Sequence, residues 1–359
     1  MSLPNHGANP HRLYEQLSIK KPMEMIDFSE NVNPAGPPSF IREKWDDLFP
    51  LISRYPDPQG QPFLAAIAKF HNVDEEQVLL GNGAAEIFSL LATIFQRKRA
   101  IIIHPTFSEY EATLAANHVE MVHIEVDDIT TWKLPIVQII KDMQQADILY
   151  LCTPNNPTGV LPPREELQLL IDEGEKANCH IVLDEAFIDW IGEEASMIPY
   201  INEHPHIMIV RSMTKMYAIA GVRLGYMIAA PEMIQTLQRK TSHWHINGLA
   251  AEIGASCLEE TEFRNQSIQY AQKCRELFTA FLHQSGCKTT KSITNYICFQ
   301  LPKPKQSKAF FHAMLEKGMV LRHTENFKGM NGEWFRVGMK DEKSMKSLQK
   351  EMTLWLKRN

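Results

Sequence analysis

Between residues 78 and 229, short apolar runs alternate with stretches of helical period. The runs cover 78–80, 100–103, 121–126, 148–152, 181–183, 207–210 and 226–229, with helical stretches such as 84–95 and 164–177 between them. A strand that is apolar throughout is buried on both faces, and strands separated by helices pair in parallel. The alternation therefore predicts an α/β chain with a largely parallel sheet, covered by helices on both sides. After residue 231 the order changes. A helix at 233–240, a long helical stretch at 249–284, a strand at 296–301 and a helix at 306–317 precede short strands near 319–322 and 334–337. A closing helix follows Asp341. That is the pattern of a smaller α+β domain. The first 60 residues are rich in Pro and Asn and read as an irregular arm with one short helix near 40–48. The expected division is an arm at 1–50 that joins the small domain in space, a large domain at 51–245 and a small domain at 246–359.

A chain of 359 residues is long enough for about two domains. Hydrophobic residues at 44% and charged residues at 22% exclude a disordered chain, a collagen and a simple coiled coil. The net charge of −6 gives no basic excess for nucleic acid or an anionic membrane surface, so neither is an expected partner. No run of about 18 apolar residues is present to span a membrane. The first residues lack the basic and apolar regions of a secretory signal, so the cytoplasm is the expected location. The six cysteines (152, 179, 257, 274, 287, 298) form no C-x-x-C pair and have no His at metal-ligand spacing. They read as reduced thiols, and no metal is expected.

Chemistry concentrates in the segment Ser212-Met213-Thr214-Lys215, with Arg223 eight residues after the lysine. It follows the run 207–210, at the strand end where open α/β sheets place ligands. Two hydroxyls and a guanidinium can hold a phosphate, and the lysine between them can form a Schiff base. Read alone, the segment also suits a surface loop with a solvated lysine. Upstream, Asn155-Asn156-Pro157-Thr158-Gly159 ends one run, and Asp184 ends the next. A carboxylate at a buried strand end is costly without a cationic partner. Alone, Asn156 reads first as a turn former, and Asp184 equally as a helix cap. Gly81-Asn82-Gly83-Ala84-Ala85-Glu86 opens a helix whose amides can cradle a phosphate. It is not a dinucleotide fingerprint, because Glu86 stands where the third glycine belongs.

In the order Asn156, Asp184, Lys215, Arg223 the chain resembles the fold-type-I pyridoxal-phosphate enzymes, the aspartate aminotransferase superfamily. The resemblance implies a large domain with a mostly parallel seven-stranded sheet, a smaller α+β domain, and pyridoxal 5'-phosphate as cofactor. It implies that Lys215 carries the Schiff-base link and is catalytic, and that Asp184 pairs with the pyridine nitrogen. Asn156 would bond the phenolic oxygen. Ser212, Thr214, Arg223 and the amides of Ala84 and Ala85 would hold the phosphate. Phe107 occupies the ring-stacking position, with Tyr110 a second stacking candidate. Arg54-Tyr55-Pro56-Asp57 resembles the segment through which a neighbouring subunit sends a tyrosine to the phosphate, which implies a homodimer with shared sites. Trp334-Phe335-Arg336-Val337-Gly338 matches the substrate-carboxylate arginine.

Within that superfamily the arrangement is similar to the histidinol-phosphate aminotransferases and to the related threonine-phosphate decarboxylases. Three details resemble the latter: His6-Gly7-Ala8-Asn9, Asp27-Phe28-Ser29-Glu30-Asn31-Val32-Asn33-Pro34, and Phe187 in Asp184-Glu185-Ala186-Phe187. Ala8 and Glu30 depart from the decarboxylase pattern. The resemblance implies a small phosphorylated amino-acid substrate, held by His6, Ser29, Asn31, Asn156, Arg322 and Arg336. A histidinol-phosphate-like aminotransferase using 2-oxoglutarate shares nearly all cofactor residues. A non-catalytic pyridoxal-phosphate-binding regulator is the remote alternative, and it would carry a DNA-binding module ahead of this pattern, which begins by His6.

Overall fold

The computed structural model describes residues 3–4 and 7–358. The arm begins with an unanticipated helix, Pro10–Leu17. Its start uses an Asn and a Pro, the residue types whose abundance suggests an irregular arm. The Asn9 side chain accepts from the Arg12 amide and Pro10 takes the first helical position. A two-residue strand, β1 (Ile26–Asp27), follows. The helix expected at 40–48 is two single turns, Phe40–Glu43 and Trp45–Leu48, separated at Lys44.

The next seven strands are β2 (Val78–Gly81), β3 (Arg99–His104), β4 (Glu120–Glu125), β5 (Ile148–Cys152), β6 (His180–Asp184), β7 (Ile207–Ser212) and β8 (Gly225–Ala229). They form one sheet in the order β2-β8-β7-β6-β5-β3-β4. Only β8 runs against the others. The expected seven-stranded, mostly parallel sheet is thus present. Its central strands are buried along their length because helices cover both faces, whereas edge strand β4 buries only Ile124. Parallel pairing brings His104, Cys152, Asp184 and Ser212 to one sheet edge. The antiparallel β8 returns Gly225 to the same edge, opposite both Ser212 and Gly81.

The stretch expected as one helix at 249–284 is two, Gly248–Glu259 and Thr261–Gln284, broken at Glu260. Beyond them lie β9 (Lys288–Thr289), β10 (Tyr296–Gln300), β11 (Met319–Val320), β12 (Arg322–His323) and β13 (Trp334–Gly338). An antiparallel sheet runs β12-β13-β10-β9. The single strand expected at 319–322 is split between sheets. β11 pairs in parallel with β1, while β12 pairs with β13. A second apolar cluster forms here, in which Leu13, Tyr14 and Phe28 pack with Phe299, Phe310, Phe335 and Met352. The Tyr14 hydroxyl donates to the Leu315 carbonyl at 2.6 Å. Truncating a wholly buried ring such as Phe28 to Ala would cost about 3–5 kcal/mol. Among the described residues, no helix is long and apolar enough to cross a membrane.

Candidate active site

Asp184 closes β6 with its carboxylate buried at 4% exposure. The Tyr110 hydroxyl donates to Oδ2, and the Ala186 amide donates to Oδ1 at 3.0 Å. Burial pushes the carboxyl up from its ordinary value, against the pull of these two bonds and of Lys215.

Lys215 lies in the loop after β7. Its Nζ donates to Thr214 Oγ1 at 2.8 Å, and that hydroxyl is 2.8 Å from Ser212 Oγ. The ammonium stands 5.8 Å from the centre of the Phe187 ring. Burial lowers the lysine to about 8. The Asp184 carboxylate opposes the shift, while Arg223 and Arg336 reinforce it. The loop is braced from the N-terminal arm. The Asn33 amide donates to the Lys215 carbonyl at 3.0 Å, and Asn33 Nδ2 donates to the Met216 carbonyl at 2.8 Å.

Arg223 crosses to the start of the helix Ala84–Ile94. Gly83 adopts φ +79° there, and a Cβ on it would collide with the guanidinium. Glycine is therefore required where arginine closes on the helix N-terminus. Likewise a Cβ on Gly225 would stand 2.7 Å from the Ala84 amide nitrogen. Ser212, Thr214, Arg223 and the first helical amides, Ala84 and Ala85, thus come together at one end of the cleft. The Phe107 ring meets Tyr110 edge-on, at 5.7 Å between centroids. Tyr110 itself is wholly buried, with its hydroxyl on Asp184.

The opposite side of the cleft belongs to the smaller sheet. Arg336, buried on β13, donates through Nη1 to Asn156 Oδ1 at 2.5 Å and through Nη2 to the Ser29 carbonyl at 2.7 Å. Its guanidinium lies 5.5 Å from the centre of the Tyr296 ring. Arg322 stands opposite Arg336 in the β12–β13 register, also buried, and donates to Asn326 Oδ1 at 2.7 Å. Burial lowers Arg322 to about 9, and the Arg336 charge adds to the shift. Ser29 Oγ donates to Asp27 at 2.5 Å and accepts from the Ala8 amide at 3.0 Å. The Asn31 carbonyl accepts from Asn295 Nδ2 at 2.8 Å. Tyr55 does not join this group within one chain. It is 84% exposed and packs on Trp244, at 5.2 Å between ring centroids. His6 lies outside the described residues.

Two participants, Asn295 and Arg211, and one role, that of Tyr110, were not visible in the sequence. Tyr110 serves as the partner of Asp184 from 74 positions away. Asn295 supports Asn31, and Arg211, just before Ser212, is buried among Glu185, Asp189 and Glu193. Each acts through a partner distant in sequence or in another element, so no local spacing carries the signal.

The residues fit a phosphorylated pyridine aldehyde. A basic pocket at a helix start suits its phosphate. A buried carboxylate suits its ring nitrogen, and a lysine lowered to about 8 suits its aldehyde. Asn156 commits its oxygen to Arg336, so its Nδ2 is the donor end for an anionic oxygen. Among the residues of this group, Asn31 Oδ1 and Arg336 Nε are buried without a hydrogen-bond partner, as a polar ligand at the site would require.

The family description "Aminotransferase class I and II" matches residues 23–350. The chain is 32% identical over 337 residues to threonine-phosphate decarboxylase of Salmonella typhimurium, covering 93% of this chain and 92% of that one. The crystal structure of histidinol-phosphate aminotransferase from Clostridium acetobutylicum superposes with a TM-score of 0.88 at 26% identity, over 92% of this chain and 99% of that one. The histidinol-phosphate aminotransferase of Sinorhizobium meliloti, solved with pyridoxal 5'-phosphate, shares the fold. Its TM-score is 0.86 at 18% identity, over 99% of this chain and 96% of that one. The cofactor of this chain is pyridoxal 5'-phosphate. With its sheet, its site geometry and these likenesses, the chain belongs to the aminotransferase class I and II family, in the fold-type-I group of pyridoxal-phosphate enzymes.

Proposed function

We propose that the chain decarboxylates L-threonine O-3-phosphate to (R)-1-amino-2-propanol O-2-phosphate, a side-chain precursor in cobalamin biosynthesis. The observation that carries this reading is the pair Arg322 and Arg336, two buried guanidiniums in register on neighbouring strands. Like charges held together in a buried place call for anionic ligands. Arg336 spends its hydrogen bonds on neutral groups, Asn156 and the Ser29 carbonyl. A phosphorylated amino acid brings both a carboxylate and a phosphate to such a pair. The 32% identity to the Salmonella decarboxylase points the same way.

When bound, the cofactor would supply an electron sink for the bond broken at the substrate's Cα. Asp184 would keep the ring nitrogen protonated. Ser212, Thr214, Arg223 and the amides of Ala84 and Ala85 would hold the phosphate of the cofactor, Phe107 would cover its ring, and Asn156 would bond its phenolic oxygen. Arg322 and Arg336, with His6, Ser29 and Asn31 assisting, would clamp the substrate's anionic groups and so set the orientation of its carboxylate. That clamp is catalysis by positioning. After CO₂ departs, Lys215 in its ammonium form would deliver a proton to Cα and be left as the neutral amine. Tyr55 completes the cofactor-phosphate pocket of a second copy. The exposed apolar surface of Trp45, Phe49, Ile52, Tyr55 and Trp244 supports a homodimer with shared sites. Six free cysteines, five of them buried, suit the reducing cytoplasm.

The second reading is transamination of histidinol phosphate with 2-oxoglutarate, favoured by the superposition on the Clostridium enzyme. Incubation of the holoenzyme with phosphothreonine separates the two. Release of CO₂ without any need for 2-oxoglutarate supports decarboxylation. Faster transamination of histidinol phosphate than CO₂ release defeats it.

A further inference from the structure

We propose that His104, Glu111 and His123 form a binding site for a divalent transition-metal ion such as zinc, separate from the cofactor cleft. The sheet register brings the two imidazoles together. His123 on β4 stands opposite Ile102 on β3, so His104, two residues further on, projects from the same face. The helix Glu109–Ala116 covers that face, with Tyr110 and Leu114 packed in one cluster with Ile102, and it delivers Glu111.

The three ligand atoms are already in mutual contact. His104 Nε2 lies 2.9 Å from His123 Nδ1 and 3.2 Å from Glu111 Oε1, and His123 Nδ1 lies 3.4 Å from that same oxygen. Each corner of this triangle is about 1.8 Å from its centre. An ion about 0.9 Å off the plane therefore stands about 2.05 Å from all three atoms, matching Zn–N and Zn–O bonds. His104 is buried and fixes the base of the site, while Glu111 and His123 are partly exposed and leave the outer side open to a water ligand. Two imidazoles and one carboxylate with an open position are a donor set that zinc accepts.

One group opposes the ion. Lys328 Nζ lies 3.2 Å from the same Glu111 oxygen. Ammonium and metal therefore compete for that carboxylate, and removing the ammonium strengthens metal binding. Glu125, opposite His104 in the register, adds a further negative charge beside the same loop. Its Oε2 lies 3.2 Å from where a Cβ on Gly329 would stand.

Zinc alone, titrated into the purified holoenzyme against a chelating dye, tests the site. His123→Ala, His123→Gln and Glu111→Gln should each weaken one zinc equivalent by at least tenfold while the cofactor absorbance stays normal. Lys328→Met should bind more tightly. His204→Ala alters a second cluster, Glu175, His204 and His206, and should change nothing at the tight site. Zinc affinity within twofold of the parent in the His123 and Glu111 variants, loss in His204→Ala instead, or weaker binding by Lys328→Met would overturn the assignment.

Discussion

Arg336 on β13 donates to the side-chain oxygen of Asn156, in the turn after β5, at 2.5 Å. Its other terminal nitrogen holds the Ser29 carbonyl at 2.7 Å, so one guanidinium ties together both sheets and the N-terminal arm. Arg336→Lys keeps the charge but replaces a planar fork with a single point, which cannot serve both acceptors. Losing one charge-assisted hydrogen bond costs about 1.5–3 kcal/mol, or roughly 10–100-fold in kcat/KM. Steady-state kinetics on phosphothreonine should show that loss with the cofactor spectrum unchanged. Wild-type kcat/KM in the variant would remove Arg336 from the substrate site.

Asp184 is buried and receives two hydrogen bonds from protein donors. In the proposed mechanism Asp184→Ala would remove the counter-charge of the cofactor's ring nitrogen, which should then lose its proton. Breaking a buried charge pair costs about 3–5 kcal/mol, so turnover should fall by several orders of magnitude. Tyr110→Phe removes one donor only and should cost about tenfold. A loss below tenfold in Asp184→Ala would make the carboxylate a structural cap.

Burial, reinforced by Arg223 and Arg336 and opposed by Asp184, brings Lys215 to about 8. Only the neutral amine attacks an aldehyde. At pH 7.5 about a quarter of such lysines are neutral, against about one in a thousand at an ordinary lysine value. Because the value is lowered, reactivity is gained as pH rises through about 8 rather than above 10. The rate at which apoenzyme takes up pyridoxal 5'-phosphate into a borohydride-reducible form should show that midpoint, and Lys215→Ala should form none. A midpoint near 10 contradicts the assignment.

Tyr55 is 84% exposed in the single chain, beside an exposed Trp244. If it completes a neighbour's site, mixing inactive Lys215→Ala chains with impaired Tyr55→Ala chains restores activity. Each mixed dimer then holds one site with both native residues and one with neither. Subunit exchange is followed separately with a fluorescent label. Exchange without recovered activity rules the shared site out.

Arg211 is 2% exposed and bonds Glu185 at 3.2 Å, Asp189 at 2.9 Å and Glu193 at 2.6 Å. Arg211→Met leaves buried carboxylates unpaired, at a cost of about 3–5 kcal/mol. Burial holds Glu185 and Asp189 above their ordinary values and Arg211 helps hold Glu193 below its own, so removing the cation shifts all three upward. The penalty is therefore full at high pH and shrinks as protonation neutralises them at low pH. Thermal unfolding should show a larger loss of Tm at pH 8 than at pH 5.5. Equal losses at both would show that packing, not charge, carries the effect.

The parallel sheet was legible because burial on both faces leaves uninterrupted apolar runs, and a helix between two runs forces parallel pairing. The order of Asn156, Asp184, Lys215 and Arg223 was legible too, since each closes or follows a strand of the same sheet edge. Boundaries set by pairing were not. Whether residues 319–323 form one strand or two depends on β1 and β13 competing for neighbouring backbone groups, and neither strand is local to them. The helix at Pro10–Leu17 was hidden because Asn and Pro serve equally as loop residues and as helix starts. Tyr110 on Asp184, Arg336 on Asn156 and the meeting of His104, Glu111 and His123 all join side chains across different elements. Local periodicity records which face of an element is buried. Only the tertiary crossing of those elements decides which polar groups meet there, because a buried donor or acceptor takes whatever partner the packing brings within 3 Å or so.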